Sequence, residues 1–166
     1  MSTRSLICKK ENDGTYKSIY CHWDGYPGGV GATLLEYYNK DNIDELLALG
    51  SLSSLGKFIN PQPNGKHRKF DFEKGNFAVR EYFSDEHTFD APQEDVCVAY
   101  HRDRGEDLRV SLYNSLDELN KEFKKSWCEY IYILEDNKWK VADEYLDFKD
   151  LSNVIERERH NSEENN

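Results

Sequence analysis

Three features of the sequence predict an α+β fold with a mostly antiparallel sheet built from hairpins and with helices packed on one face. Short runs rich in β-branched and aromatic residues flank turn-forming dipeptides, as hairpin strands do. Other segments carry helix caps followed by apolar residues at three- to four-residue spacing. Aromatic residues make up 13% of the chain, enough to build a core despite a hydrophobic fraction of only 37%.

Taken in order, residues 5–10 and 16–22 read as the first hairpin, with Asp13-Gly14 at its turn. A two-residue turn sets Asn12 against Thr15 and Cys8 against Ile19. Cys8 and Cys21 then share one face, and Tyr20 and His22 the other; a longer turn changes that parity. The stretch 23–31 holds Gly25, Gly28, Gly29 and Gly31 with Pro27, and leads into a helix-like segment over 32–38. Asp41 or Asn42 caps a second helix that carries Leu46, Leu47 and Leu49 and stops at Gly50, so the two helices are expected to pack as a pair.

Residues 51–92 hold scattered charge, His67 and His87, and read as long loops. Residues 96–101 and 108–113 read as a second hairpin turning at Gly105. Ser115-Leu116-Asp117-Glu118 is a capping-box signature, and Leu119, Phe123 and Trp127 line one face of the helix it opens. Residues 129–134 and 138–141 form a third hairpin, followed by a short helix near 151–155. Residues 1–155 are expected to form one domain and the acidic segment 156–166 a solvated, disordered tail.

The 166 residues carry 32 acidic against 22 basic side chains, a net charge of -10. Direct binding to nucleic acid draws its affinity from Lys and Arg releasing counterions, so this balance argues against it and points to basic partners. No run approaches the roughly 18 to 20 apolar residues of a membrane span, and no signal peptide is evident, so a cytoplasmic protein is expected.

Cys8, Cys21, Cys97 and Cys128 follow neither a disulfide framework nor a local zinc motif and read as reduced, buried thiols. A zinc site assembled from distant elements stays open. Cys8 with Cys21 is one candidate pair; His22 with Asp24, joined by His67, His87 or His101, is the other.

The segment from Cys21 to Gly31 is the densest cluster of unusual side chains, and His22, Trp23, Asp24 and Tyr26 are its candidate binding residues. Its glycines precede a helix, where backbone N–H groups can face an anion, but no Lys follows as a P-loop requires. A second cluster, Arg102, Asp103, Arg104 and Glu106, offers two guanidinium groups as a clamp for an acidic group. Together the two clusters suggest a sequestering site for a nucleotide-like anion. No nucleophile elbow, zinc-protease helix or dinucleotide fingerprint is present in the sequence, and no catalytic residue is assigned.

Met1-Ser2-Thr3-Arg4-Ser5, the segments Ile19 to Pro27, Gly29 to Gly31 and Leu49 to Gly56, and Tyr100-His101-Arg102-Asp103-Arg104-Gly105-Glu106 resemble a family of small phage and prophage proteins. The resemblance implies a mobile-element product acting in a bacterial host cell. In that setting small acidic proteins disable host defence nucleases. An anti-CRISPR inhibitor that binds a Cas9-type effector, through the basic surfaces that hold its nucleic acids, is the leading expectation.

Overall fold

The computed structural model describes residues 2–71 and 76–164. Ten strands and five helices follow one another as β1 (Ser5–Lys10), β2 (Tyr16–Cys21), α1 (Ala32–Tyr37), α2 (Ile43–Leu47), β3 (Leu52–Ser54), β4 (Gly65–Asp71), β5 (Asn76–Ser84), β6 (Val98–Ala99), α3 (Tyr100–Arg104), β7 (Ser111–Tyr113), α4 (Leu116–Lys125), β8 (Tyr130–Glu135), β9 (Lys138–Ala142), β10 (Lys149–Asp150) and α5 (Leu151–Glu164). A five-residue π-helical turn, Pro27–Gly31, runs directly into α1. The α+β class and the mostly antiparallel sheet agree with the sequence. Among the described residues no helix is long and apolar enough to cross a membrane.

Eight strands form the main sheet in the order β10-β9-β8-β1-β2-β3-β6, with β7 also paired to β2. Two pairings are parallel, β1 with β8 and β2 with β3. The second encloses a crossover that carries the π-helical turn, α1 and α2, because parallel neighbours cannot be joined by a tight turn. Alternation along β1 and β8 divides the core into two layers. Ile7, Tyr132 and Leu134 face Leu34, Ile43, Leu46, Leu47, Leu151 and Ile155 of α1, α2 and α5. Leu6, Cys8, Ile131 and Ile133 face Leu119 and Phe123 of α4. The helices therefore do not all lie on one face: α4 covers the side opposite α1, α2 and α5.

The first hairpin forms one residue out of the register expected for a two-residue turn. Glu11 N–H donates to Thr15 O, Gly14 takes the left-handed region (φ 88°), and Asp13 Oδ1 accepts from the Thr15 amide and hydroxyl. This three-residue loop pairs Cys8 with Ser18 and Lys10 with Tyr16. Cys8 consequently packs on the α4 side and Cys21 on the opposite side.

The expected second hairpin does not form. Val98–Ala99 pairs with β3, Ser111–Tyr113 pairs with β2, and Tyr100–Arg104 between them is helical. Asp103 Oδ2 accepts the Ala99 N–H at 2.8 Å and closes this short helix from within, while left-handed Gly105 ends it. The stretch expected as long loops holds β3 and the two-stranded ribbon of β4 and β5.

The capping box of α4 is present: Ser115 Oγ accepts from Glu118 N–H, and Glu118 Oε2 accepts from Asn114 N–H. The helix ends two residues before Trp127, which adopts φ 58° and stands 85% exposed instead of continuing the Leu119–Phe123 face. The third hairpin, β8 with β9, forms as expected. The helix near residue 151 runs to Glu164, where a disordered tail was expected; Asp150 Oδ1 accepts from the Ser152 and Asn153 amides at its start, and 156–163 are solvent-exposed.

Truncation should separate the two ends of that expected apolar face. Leu119→Ala leaves a cavity against Cys8 and Ile131 and is expected to cost about 2–5 kcal/mol in denaturant unfolding, whereas Trp127→Ala should stay within about 0.5 kcal/mol.

Candidate functional site

Beyond β2 the chain keeps pairing with β3 for two more residues: His22 N–H donates to Leu52 O and Trp23 N–H to Ser53 O, both at 3.0 Å. Asp24 then turns into the left-handed region (φ 57°) and the backbone folds back under Gly25. Gly25 N–H donates to Thr3 O at 2.8 Å, and Gly25 O accepts the buried Tyr132 hydroxyl at 2.6 Å. A Cβ at Gly25 would lie 2.8 Å from Thr3 O and from Ser5 Cβ, and one at Gly29 would lie 2.4 Å from Asp24 O. Glycine is required at both positions by close backbone approach.

Three further amides of the loop are also committed. Gly29 N–H and Gly31 N–H both donate to Tyr26 O, Val30 N–H donates to Asp24 O, and Pro27 has none to offer. The N–H groups of Gly25, Gly29 and Gly31 are therefore spent on backbone carbonyls of the protein itself and do not form the expected anion cradle. What the loop presents outward is Trp23 and Tyr26, each 45% exposed, with exposed Asp24 between them. The backbone beneath this ledge is pinned to β1, β3 and β8.

His22 borders the ledge. Its Nδ1 lies 2.6 Å from the Tyr20 hydroxyl, and its ring meets Trp23 edge-on at 4.8 Å between centroids. Burial, and secondarily Arg4, lowers the His22 pKa, which favours the neutral ring.

The expected zinc sites are not assembled. Cys8 and Cys21 lie on opposite faces of the sheet as a consequence of the hairpin register. Cys8 Sγ donates to Ser18 Oγ, Cys21 Sγ points to Trp23 O, and burial pushes both thiols up to about 12, away from the thiolate a metal needs. His22 and Asp24 gain no third ligand from His67, His87 or His101. Among the described residues no three His, Cys, Asp or Glu side chains are placed to hold an ion.

Arg102 is likewise not a free clamp. Its Nη1 donates to Ile59 O at 2.7 Å, its Nη2 to Cys97 O at 2.7 Å, and its Nε to Asp103 Oδ1 at 2.9 Å. Asp103, with only 3% of its side chain exposed, also receives the Ala99 amide and faces His87 Nε2 at 3.3 Å. The Gln93 amide donates to His87 Nδ1 at 3.0 Å, so the neutral His87 carries its proton on Nε2 and directs it at Asp103 and Cys97 O. These groups lock α3 and residues 85–97 together. Arg104 remains nearer the surface, ion-paired to Glu106 at 2.7 Å and stacked over Phe89 at 4.3 Å.

Of the eight expected binding residues, the structure brings His22, Trp23, Asp24 and Tyr26 to one surface. It places Arg102 and Asp103 in an internal strut, and Arg104 and Glu106 in a pair of their own. Two strongly exposed aromatics escaped sequence reasoning. Trp127 has helical spacing from Phe123 yet stands exposed after the helix ends; Tyr145, 79% exposed, sits in a turn in which Asp143 Oδ1 accepts the Tyr145 amide. Comparison with protein-family models, curated proteins and solved structures finds no match.

Arg102→Ala should leave Asp103 buried without its main partner and destabilise the fold by about 3 kcal/mol. Burial lowers the His87 pKa despite Asp103, so below pH ~6.5 the unfolded chain takes up a proton that the folded one resists. Burial would raise Asp103, but Arg102 and the Ala99 amide outweigh it and hold the carboxyl below its ordinary range. Stability measured by urea titration should thus fall from pH 7 to pH 5 and again below pH ~4. The first fall should shrink in His87→Gln.

Proposed function

We propose that this protein is a protein-binding inhibitor of a host defence system, encoded by a phage or other mobile element and acting in the bacterial cytoplasm. Its target in this reading is a Cas9-type effector. The inhibitor docks on a basic surface of that effector and blocks DNA binding or a conformational step.

The observation that carries the reading is the ledge of Trp23, Asp24 and Tyr26. Large aromatics on a pre-ordered backbone give contact area with little ordering cost, and such residues dominate binding energy at interfaces. An exposed carboxylate on the same loop as two exposed aromatics suits Lys and Arg, which take both ion pairing and cation–π contact. The net charge of -10 adds long-range attraction to a basic channel. The resemblance of the segments 1–5, 19–27, 29–31, 49–56 and 100–106 to small phage and prophage proteins supplies the biological setting. The alternative, a sequestering site for a nucleotide-like anion, loses support because Arg102 and the amides of Gly25, Gly29, Val30 and Gly31 are engaged within the fold.

Binding of the purified protein to a Cas9-type effector is the test, by biolayer interferometry at low and high salt. The expected result is a complex that weakens as salt rises and that Trp23→Ala or Tyr26→Ala weakens by about 30-fold or more, the effect of losing a hot-spot residue. Absence of a complex at micromolar concentration in low salt, or a complex indifferent to both Trp23→Ala and Tyr26→Ala, would contradict the proposal.

A further inference from the structure

A cleft of about 350 Å³ opens between the π-helical turn, the segment following β9 and the outer face of α5. Its size is at the lower end of the range for ligand pockets, about 300–1,000 Å³. Pro27, Val141 and Val154 give it an apolar floor, and the Tyr130 ring lines it. Pro27 is the residue after Tyr26, so the ledge and the cleft share one stretch of backbone.

The rim is shaped by the turn that follows β9. Asp143 Oδ1 accepts from the Tyr145 amide, Asp143 O accepts from the Leu146 amide, and Leu146 takes φ 56° to pack into the α4-side core. Anchored in this way, the turn holds Tyr145 out at the cleft mouth. Asp143, Asp147 and Glu158 line the cleft, and none has an ion pair among the described residues. Lys149 and Arg157 line it as well, so the negative charge is local. Burial first, and then Glu158, Asp143 and Glu129, raises the phenol pKa of Tyr130. Unpaired carboxylates beside two aromatic rings and an apolar floor match the chemistry of a long basic side chain, an apolar stem with a cationic head.

We propose that this cleft receives a lysine or arginine side chain of the partner protein, with Asp143 and Glu158 as its counter-charges and Tyr130 and Tyr145 as its aromatic contacts. The proposal rests on the protein-binding reading and extends it to a second contact, adjoining the ledge at Tyr26 and Pro27.

Acetylated, amidated tri-arginine peptide titrated into the full-length chain by calorimetry tests it. Asp143→Asn with Glu158→Gln should weaken binding by about tenfold, and Tyr145→Ala, an exposed position that leaves the fold intact, by about threefold. Glu36→Gln with Asp41→Asn removes the same charge elsewhere on the surface and should change the affinity less than about twofold. A loss in the cleft double variant no larger than in this control overturns the proposal. Two further results separate this proposal from the inhibitor reading. Peptide binding that depends on Asp143 and Glu158, with no effector complex, removes the inhibitor and keeps the cleft. An effector complex abolished by Trp23→Ala, with peptide affinity unmoved by the cleft variants, removes the cleft and keeps the inhibitor.

Discussion

The pairing of β1 with both β2 and β8 is the constraint on which the rest of the structure depends. It places Ile7 among α1, α2 and α5 and its neighbours Leu6 and Cys8 under α4, so a single strand organises both core layers. The same strand leads in from Thr3, whose carbonyl receives Gly25 N–H, while β8 supplies the Tyr132 hydroxyl to Gly25 O. The outward ledge of Trp23, Asp24 and Tyr26 is thereby bolted to the centre of the sheet. A surface loop fixed at so many points is suited to rigid recognition more than to closing over a ligand.

Charge is used in two different ways. Arg102, Asp103 and His87 form an interior strut in which every partner is needed to satisfy the others. Lys9 with Asp44 and Lys10 with Glu135 are outer pairs, of the kind that contributes little to stability. Asp24, Asp143 and Glu158 are instead exposed and make no ion pair among the described residues. They are the carboxylates that the proposed basic partner would meet.

Elements whose signals are local were legible in the sequence. The capping box at Ser115 and the β8–β9 hairpin each need only a few adjacent residues to specify them. The first hairpin was legible as a hairpin, but its register was not, because Asp13-Gly14 serves a two-residue turn and a three-residue loop alike; one residue of difference placed Cys8 and Cys21 on opposite faces and separated that candidate zinc pair. Residues 100–104 cover the end of the expected strand and the start of its turn, yet they are helical, with Asp103 bonding the Ala99 amide. The β4–β5 ribbon lacked clear alternation, and Trp127 obeyed helical spacing in a helix that had already ended. Of the site, the Trp23–Tyr26 ledge was readable as a cluster, whereas the engagement of Gly25 and of Arg102 depends on Thr3, Ile59 and Tyr132, all distant in sequence.

The most direct test of the account is amide exchange in the Gly25–Gly31 segment, followed by ¹⁵N-resolved NMR with and without inorganic phosphate. The account predicts slow exchange at Gly25, Gly29 and Val30 and no phosphate-induced shift at any of them, since their donors are held by Thr3 O, Tyr26 O and Asp24 O. Fast exchange together with saturable shifts on phosphate addition would mean that these amides are available to an anion, and would contradict the ledge as a rigid protein-binding surface.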